Sequence, residues 1–415
     1  YERKLENIPI IIKGNILEKA GIPDKIPINS IRIIENSKEI PYQVDEKDNT
    51  GLFKNIGNKK LDMDDEVVFQ ITLNPNEEKN LFIYFTKELS PVPNYLTDIQ
   101  FKTTIFEIPK TNYNAELSNS TISIGIRGSA EEKDNQGKPI YGGFGKASIT
   151  SFKIKDKQLI QQFASWAWTL GGSNIINFAL PWDNPQLLID GPIRKIVVCK
   201  AIGQDRDFTK EYRGDWALTG KVKGDYFRYF ILYSKIPYCQ MIETIKIEES
   251  SSNYTCLYQF FWNPTCPRDW ENDKLYIPED EKAIVINFQD KKNYSAQRPK
   301  EGWLAIVNTR DKNGLAIFFD GKNAKVFADF YGAGLIREQI LNDEWGKKYW
   351  AAEARIWYEY NNFNSGSIKE NKFGFYGVTN ENADEIRFLY KAIWEGEGLS
   401  ILFGSPEEYI QQSKK

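Results

Sequence analysis

Short apolar runs are the feature of this sequence that most restricts its fold. β-branched and aromatic residues cluster in brief runs flanked by glycine, proline, asparagine or charged residues, which is typical of β-strands. Long amphipathic helices are nearly absent, and residues 382–394 form the clearest helical pattern, with Asn382 as its cap. The sequence therefore predicts an all-β protein with few short helices, dominated by a large antiparallel β-sandwich.

A division into two parts is indicated near residue 112. Residues 67–73 and 81–85 are apolar runs joined by a polar loop, which predicts a hairpin, and a connection with two prolines follows at residues 89–93. Longer strand-like runs continue beyond this point. We therefore expect a small N-terminal β-domain at residues 1–112 and a β-sandwich domain at residues 113–415.

Charge and hydropathy exclude several classes of partner. The 415 residues include 54 basic and 57 acidic side chains, a net charge of −3, so no basic surface for nucleic acid is expected. The chain has no run of about 18 uncharged apolar residues, so no membrane span is expected. An apolar content of 41% is enough for a packed core, which excludes a disordered chain.

The complete absence of histidine restricts the chemistry. It removes Ser-His-Asp and Cys-His catalysis and every histidine-based zinc site. Acid–base catalysis in this chain has to use tyrosine, lysine, arginine, aspartate or glutamate.

The sequence also predicts an extracellular protein. It begins at Tyr1 rather than at methionine, which is expected after removal of a secretory signal. Three glycosylation sequons, at Asn119, Asn253 and Asn293, fit a secreted or cell-surface glycoprotein. Abundant isoleucine, lysine and glutamate, with only two methionines, are typical of a heat-adapted source.

Four cysteines are disulfide candidates in such a protein: Cys199, Cys239, Cys256 and Cys266. Four cysteines allow three pairings, and the spacing does not choose among them. Buried free thiols are the alternative, because Cys199 lies in an apolar run.

One acidic cluster has the residue types of a calcium site. Asp45 and Asp48 are followed, after a loop, by Asp62 and Asp64. Oxygen ligands at alternating positions suit Ca²⁺, which takes six to eight of them. We expect no cofactor other than this structural Ca²⁺, and a solvated acidic turn is the alternative.

Aromatic residues make up 14% of the chain and form two candidate sugar-binding segments. Trp166 and Trp168 share one face if their segment is a strand. The second segment contains Trp350, Trp357, Tyr358 and Asn362. Stacking faces beside planar hydrogen-bonding groups suit a saccharide, and core packing is the alternative.

Arginine and tyrosine together indicate a way to cleave uronates without histidine. Alternation puts Tyr226 and Arg228 on one strand face, which we expect to be exposed because the opposite orientation would bury a guanidinium. Arginine neutralises a uronate carboxylate, and tyrosine then abstracts the neighbouring proton. The other candidates for this set are Arg213, Tyr258, Asn263 and Arg268. Surface salt bridges are the alternative role.

A glycoside hydrolase would instead need two carboxylates. Asp329 and Glu359 are the first candidates, because each lies in an aromatic strand, and their separation would predict retention or inversion.

Several motifs resemble a known family. Residues 40–43 match an IPxQ turn, residues 64–69 match a DELVF pattern, and residues 77–79 match a GExK hairpin, while residues 190–194 and 302–306 resemble strand ends. This combination resembles exo-acting rhamnogalacturonan-lyase-like proteins, which contain a galactose-mutarotase-like β-supersandwich. The resemblance implies carbohydrate recognition, often with polysaccharide cleavage outside the cell. The chain lacks the α/α toroid of many lyases, and without histidine the sugar epimerase activity of this fold is out of reach.

The sequence therefore predicts a secreted protein that acts on an acidic polysaccharide as a lyase or hydrolase. Two alternatives come from other classes. One is a structural cell-surface or filament subunit that self-assembles when its N-terminal strand, residues 8–13, completes a neighbour's sheet. The other is a carbohydrate-binding protein without catalysis.

Overall fold

The computed structural model describes residues 3–91, 93–105, 113–129, 147–155, 157–169, 173–175, 182–207, 221–248, 251–262, 271–279, 282–287, 290, 293–329 and 352–396. Within these residues the strands form two small N-terminal sheets and two large sheets, all with antiparallel pairing. The predicted all-β fold with few short helices is confirmed.

The N-terminal sheets have three strands each. The first has the order β1-β5-β4, and its strands are β1 (Leu5–Lys13), β4 (Tyr42–Asp45) and β5 (Glu66–Leu73). The second has the order β3-β2-β6, and its strands are β2 (Arg32–Glu35), β3 (Lys38–Ile40) and β6 (Leu81–Tyr84). A short helix, α1 (Gly14–Lys19), follows β1, and Leu17 of this helix packs with Ile10, Val67 and Phe69 between the sheets.

The predicted hairpin between residues 67–73 and 81–85 is wrong. Strand β5 pairs with β1 and β4, while β6 pairs with β2 in the other sheet. The reason is burial on both faces of β5, since Val67 and Phe69 pack inside the N-terminal part and Val68 packs against the sandwich. A strand buried in this way takes the centre of its sheet, and β1 and β4 occupy both of its edges.

The first large sheet has ten strands in the order β20-β23-β24-β17-β11-β10-β9-β8-β7, with β12 attached to β11. Its strands are β7 (Gln100–Thr103), β8 (Ala115–Ser118), β9 (Ile122–Arg127), β10 (Ser148–Ile154), β11 (Lys157–Thr169), β12 (Ser173–Ile175), β17 (Ser251–Trp262), β20 (Tyr294–Gln297), β23 (Ala324–Asp329) and β24 (Ala352–Phe363).

The second large sheet has nine strands in the order β13-β14-β15-β16-β25-β22-β21-β18-β19. Its strands are β13 (Gln186–Asp190), β14 (Arg194–Asp207), β15 (Lys221–Tyr233), β16 (Tyr238–Ile247), β18 (Asp273–Glu279), β19 (Lys282–Asn287), β21 (Trp303–Asn308), β22 (Asn313–Phe319) and β25 (Ile368–Val378).

The nine-stranded sheet is buried on both faces. One face packs on the ten-stranded sheet to form the main core, which includes Phe152 from one sheet and Phe230 from the other. The opposite face is covered by the N-terminal part through Phe53 and Val68, and by a C-terminal helix. Every residue of β21 and β22 is accordingly buried.

The C-terminal helix confirms the helical pattern expected at residues 382–394. Helix α2 (Ala383–Leu389) begins with a capping box, in which Asn382 and Glu385 bond to each other's backbone N–H groups. It continues as a π-helical turn, Tyr390–Glu395. Ile386 and Tyr390 face the nine-stranded sheet.

The expected domain boundary at residue 112 stays a prediction. Strand β7, within the predicted N-terminal part, already pairs with β8 in the ten-stranded sheet. Strand β1, the segment expected to complete a neighbour's sheet, pairs with β5 of its own chain. Self-assembly through it also stays a prediction.

A buried ion cluster joins the N-terminal sheets to the sandwich. The Arg194 guanidinium of β14 donates from Nε to Asp45 (2.6 Å) and from Nη2 to Glu66 (2.5 Å), and Lys47 Nζ also donates to Glu66 (2.5 Å). Gln43 accepts from the backbone N–H groups of Ile193 and Arg194, at 2.9 Å each.

The IPxQ motif, the DELVF-like motif and residues 190–194, which read DGPIR, therefore meet at this junction. Gly191 is required here, because a Cβ atom at that position would collide with the Gln43 side chain. These motifs hold the two parts of the chain together.

The charges of this cluster predict how the free energy of unfolding depends on pH. Burial raises the pKa of Glu66, but Arg194 and Lys47 outweigh burial and hold this pKa at about 2. A carboxylate with a depressed pKa stabilises the fold above its unfolded pKa, and this stabilisation disappears as the pH falls towards 2. Glu66→Gln should therefore cost about 3 kcal/mol at pH 7, with the difference from wild type shrinking on acidification.

Urea denaturation of both proteins between pH 7 and pH 2 measures this difference. Burial raises the pKa of Asp45, so this carboxylate alone would make the fold more stable as the pH falls. Asp45 is present in both proteins, and to first order its effect cancels from the difference between their unfolding free energies. Glu78→Gln is the matched control, because Glu78 is exposed and its loss should cost less than about 0.5 kcal/mol. A destabilisation by Glu66→Gln that is independent of pH would contradict this assignment.

Candidate functional site

The outer face of the ten-stranded sheet is one surface on which a site can form. In β23 and β24, small and apolar residues face the core and alternate with half-buried residues that face outward. The outward residues are Lys325, Phe327, Arg355 and Trp357. This alternation is what a sheet covered on only one face requires.

These four side chains line an open groove of about 500 Å³ beside the edge strand β20, which adds Ser295 and Gln297. Lys325 lies directly opposite Trp357, and Phe327 lies directly opposite Arg355. Directly opposite residues have Cβ atoms about 4.5–5.5 Å apart, so each aromatic ring has a cation beside it. The groove thus combines two stacking surfaces with two positive charges.

The strand register continues this face across two more strands. Trp357 is opposite Leu257 of β17, and Leu257 is opposite Trp166 of β11. In the adjacent row, Glu359 is opposite Thr255, which is opposite Trp168. Four residues predicted from sequence, Trp166, Trp168, Trp357 and Glu359, therefore occupy neighbouring rows of one sheet.

Three of the predicted lyase residues are buried. Tyr226, Arg228 and Tyr258 lie in the interior between the two large sheets, with exposures of 1%, 0% and 0%. The expectation that Tyr226 and Arg228 face solvent is wrong, because the nine-stranded sheet is covered on both faces. A saccharide in solvent does not reach these side chains.

Arg228 is accommodated in the core by partners to both of its terminal nitrogens. Its guanidinium donates to Glu243 (2.7 Å), to the carbonyl of Ala147 (2.6 Å) and to Ser148 Oγ (3.1 Å), and its Cζ lies 5.0 Å from the centre of the Trp182 ring. Glu243 is its cross-strand neighbour on β16. Tyr258 in turn accepts a hydrogen bond from Asn371 (2.7 Å).

Arg228→Ala should therefore destabilise the fold by about 3–5 kcal/mol, because it leaves Glu243 buried without its ion-pair partner. The midpoint of urea unfolding and the soluble yield measure this loss. The double variant Arg228→Met with Glu243→Leu should recover most of the stability, since replacing both charges by apolar groups removes the unpaired charge. Wild-type stability of Arg228→Ala would contradict the buried assignment.

The two carboxylates proposed for hydrolysis do not form a pair. Asp329 is opposite Glu353, and Glu359 lies six residues further along β24. At about 3.3 Å per residue this separation is roughly 20 Å, whereas a glycosidase pair needs about 5–9.5 Å.

The remaining predicted binding residues are distributed as follows. Tyr358 is 3% exposed and belongs to the main core, where its hydroxyl accepts from the Asp320 N–H (3.2 Å). Asn362 lies in β24, where its backbone position alone is described. Four predicted residues lie outside the described residues: Arg213, Asn263, Arg268 and Trp350.

The four aspartates predicted to bind Ca²⁺ do not converge. Asp45 belongs to the Arg194 cluster, while Asp48 accepts hydrogen bonds from Thr50 and Leu52 within its own turn. Asp62 accepts from Asn58 (2.7 Å), and Asp64 is exposed. Among the described residues, no three Cys, Asp or Glu side chains form a group that could hold a metal ion.

The side chains of two of the four cysteines are described, and neither of these two forms a disulfide. Cys199 on β14 and Cys239 on β16 are free and fully buried, and strand β15 separates them. Cys256 lies in β17, where its side chain is not described, and Cys266 lies outside the described residues.

Cys199 and Cys239 should resist alkylation in the native protein. Burial raises the pKa of Cys199 to about 12 and raises that of Cys239 as well, so neither forms the reactive thiolate at neutral pH. Mass spectrometry after iodoacetamide treatment should show both unmodified in the native protein and modified in guanidinium chloride. Rapid native labelling of either would show that its strand opens.

Sequence reasoning missed Lys325 and Phe327 of β23, as well as Ser295 and Gln297 of β20. The available signal was the alternation in residues 324–329, where alanine and valine alternate with lysine, phenylalanine and aspartate. It also missed Arg194, for which the sequence held no signal beyond the DGPIR motif.

No protein-family model and no curated protein matches the chain. Among solved structures it is similar to an alpha-mannosidase from Enterococcus faecalis V583, with 8% identity and a TM-score of 0.45 over 95% of this chain and 44% of that one. It is similar to a quadruple mutant of the alpha-N-acetylgalactosaminidase NagBb from Bifidobacterium bifidum, with 10% identity and a TM-score of 0.44 over 68% of this chain and 39% of that one. A galactose mutarotase related enzyme from Lactobacillus acidophilus has 10% identity and a TM-score of 0.39 over 64% of this chain and 98% of that one.

The chain thus spans about two-fifths of the length of NagBb. With TM-scores below 0.5, these matches carry no functional argument. The relationship to rhamnogalacturonan-lyase-like proteins stays a prediction. No helix in the described part of the chain is long and apolar enough to cross a membrane.

Proposed function

We propose that the chain binds an acidic polysaccharide at the groove between β20, β23 and β24. The observation that carries this proposal is the pairing of Trp357 with Lys325 and of Phe327 with Arg355 on one exposed sheet face. A saccharide on the outer surface of the sheet needs no opening of the core. An extracellular location, where such polymers occur, is part of the same proposal.

The two kinds of side chain supply different parts of the recognition. The half-buried rings of Trp357 and Phe327 offer flat apolar surfaces for the C–H faces of sugar rings. Arg355 presents a planar fork that binds a carboxylate through two hydrogen bonds, and Lys325 adds a point charge. A neutral sugar has no carboxylate to pair with Arg355 and Lys325, so the cations favour an acidic one.

The register favours a polymer over a single sugar. Leu257 and Trp166 continue the row of Trp357 across two further strands, at about 4.8 Å per strand. A chain of sugars running across the strands would cover this row. Affinity should therefore rise with oligosaccharide length.

Cleavage by β-elimination at the same groove is the second candidate function. Arg355 can neutralise the uronate carboxylate, and the uncharged form of Lys325, at the diagonal cross-strand position, can take the C5 proton while the C4–O bond breaks and the leaving oxygen takes a proton from water. The described lining contains no carboxylate and no tyrosine that could act instead. Absorbance of unsaturated uronate products measures this activity, and Lys325→Met should abolish it.

Trp357→Ala should weaken binding of an oligogalacturonate by about tenfold or more, which is about 1.4 kcal/mol, because it removes the larger stacking surface. Arg355→Ala should weaken binding of the same ligand and reduce its salt dependence, with little effect on a neutral oligosaccharide. Isothermal titration calorimetry at two salt concentrations measures both effects.

The matched controls are Tyr84→Ala and Arg310→Ala, which remove an exposed aromatic ring and an exposed guanidinium elsewhere. Neither should change binding, and all four variants should remain folded, which their urea unfolding curves check. Equal affinity of Trp357→Ala and wild type would overturn the proposal. So would equal affinity of wild type for acidic and neutral ligands.

A further inference from the structure

A second cavity lies at the edge of the sandwich beside strand β20, whose Ser295 and Ala296 line both this cavity and the groove. It measures about 500 Å³ and lies between the β18–β19 hairpin and the segment from Asn293 to Glu301. Strands β19 and β20 are the last strands of their sheets in the described part of the chain. The two sheets therefore end beside each other here, and the cavity is the opening between them.

The floor of this edge cleft is apolar because the main core reaches the surface there. Ile277 and Ile286 are core residues, and Ile284 and Tyr294 pack against them while remaining half-buried. The volume lies within the range of about 300–1,000 Å³ that is typical of small-molecule sites. An apolar ligand body would complete the packing that the sheets leave open.

The rim of the edge cleft is acidic. Glu279 and Asp290 are exposed in its lining, and no ion pair involves either of them among the described residues. Glu301, also in the lining, is ion-paired with Arg387, whose Nε lies 2.8 Å from both carboxylate oxygens. Lys300 is the single cation of the lining.

The pKa of Tyr294, in the lining of the cleft, is raised by the same negative charges. This pKa is raised to about 12, first by burial and then by the charges of Glu279 and Glu301. A positive charge in the cleft would be attracted by these carboxylates and could also rest on the face of the Tyr294 ring. An anion would be repelled by the same groups.

We propose that the edge cleft is a second binding site, which takes a small organic cation with an apolar body. The apolar body packs on Ile277, Ile284 and Ile286, and the cation lies between Tyr294 and the carboxylates of Glu279 and Asp290. This chemistry is opposite in charge to that of the groove. The proposal is independent of the proposed saccharide binding, because it uses none of the four groove side chains Lys325, Phe327, Arg355 and Trp357, although Ser295 and Ala296 line both sites.

Three probes with one phenylpropyl body test the sign of the charge: 3-phenylpropylamine, 3-phenylpropanol and 3-phenylpropionate. Calorimetry on the full chain at pH 7 should show the amine binding about tenfold or more tighter than the other two. Equal affinity for the alcohol would overturn the choice of a cation. Absence of binding of the amine at millimolar concentration would overturn the site.

Variants locate the binding. Glu279→Gln should lower the affinity for the amine several-fold. The double variant Glu279→Gln, Asp290→Asn should bind the amine no more tightly than the alcohol. Both are exposed positions, so the fold should be retained. Glu78→Gln removes an exposed carboxylate in the N-terminal part and should have no effect.

Trp357→Ala separates this site from the groove. It should leave amine binding unchanged, whereas loss of amine binding in this variant would assign the ligand to the groove and overturn the proposal. Unchanged amine affinity in the Glu279→Gln, Asp290→Asn double variant would overturn it as well.

Discussion

The junction between the N-terminal sheets and the sandwich depends on one buried guanidinium. Arg194 is 1% exposed, and its charge is held by Asp45 and Glu66 from two different strands of the N-terminal part. Removing either part would leave buried charges without partners, which is far more costly than losing an exposed ion pair. The N-terminal sheets are therefore fixed on β14, and they cover the face of the nine-stranded sheet that would otherwise be exposed.

This cover decides which surface is free for a ligand. With the N-terminal part and α2 on one side and the ten-stranded sheet on the other, the nine-stranded sheet has no open face. The ten-stranded sheet carries half-buried Lys325, Phe327, Arg355 and Trp357 on the face away from the core. Arginine thus has two roles in one chain, since Arg194 and Arg228 are buried with carboxylates while Arg355 lines an open groove.

The sequence was sufficient for the class of fold because strand periodicity and turn residues are local properties. The same locality explains the helix at residues 383–389, whose cap and first-turn acids are adjacent in the chain. The hairpin between residues 67–73 and 81–85 failed because strand pairing depends on burial by distant segments, and Val68 packs against a sheet formed more than a hundred residues later.

For the candidate site, the sequence identified Trp166 and Trp168 by their period-two spacing and Trp357 by its aromatic-rich segment, and the register places them in adjacent rows. The sequence alone could not show which face of a strand points towards solvent. Alternation shows only that Tyr226 and Arg228 share a face, and both faces of β15 turned out to be buried.

The sequence by itself determined an all-β chain without histidine chemistry, because composition and short-range periodicity need no partner. Only the tertiary structure decided that Arg228 pairs with Glu243 in the core, that Asp45 pairs with Arg194 across the junction, and that Lys325 lies opposite Trp357 in an open groove. The physical reason is that the burial of a charged side chain is set by the surfaces that cover it. Those surfaces come from segments far away in the chain.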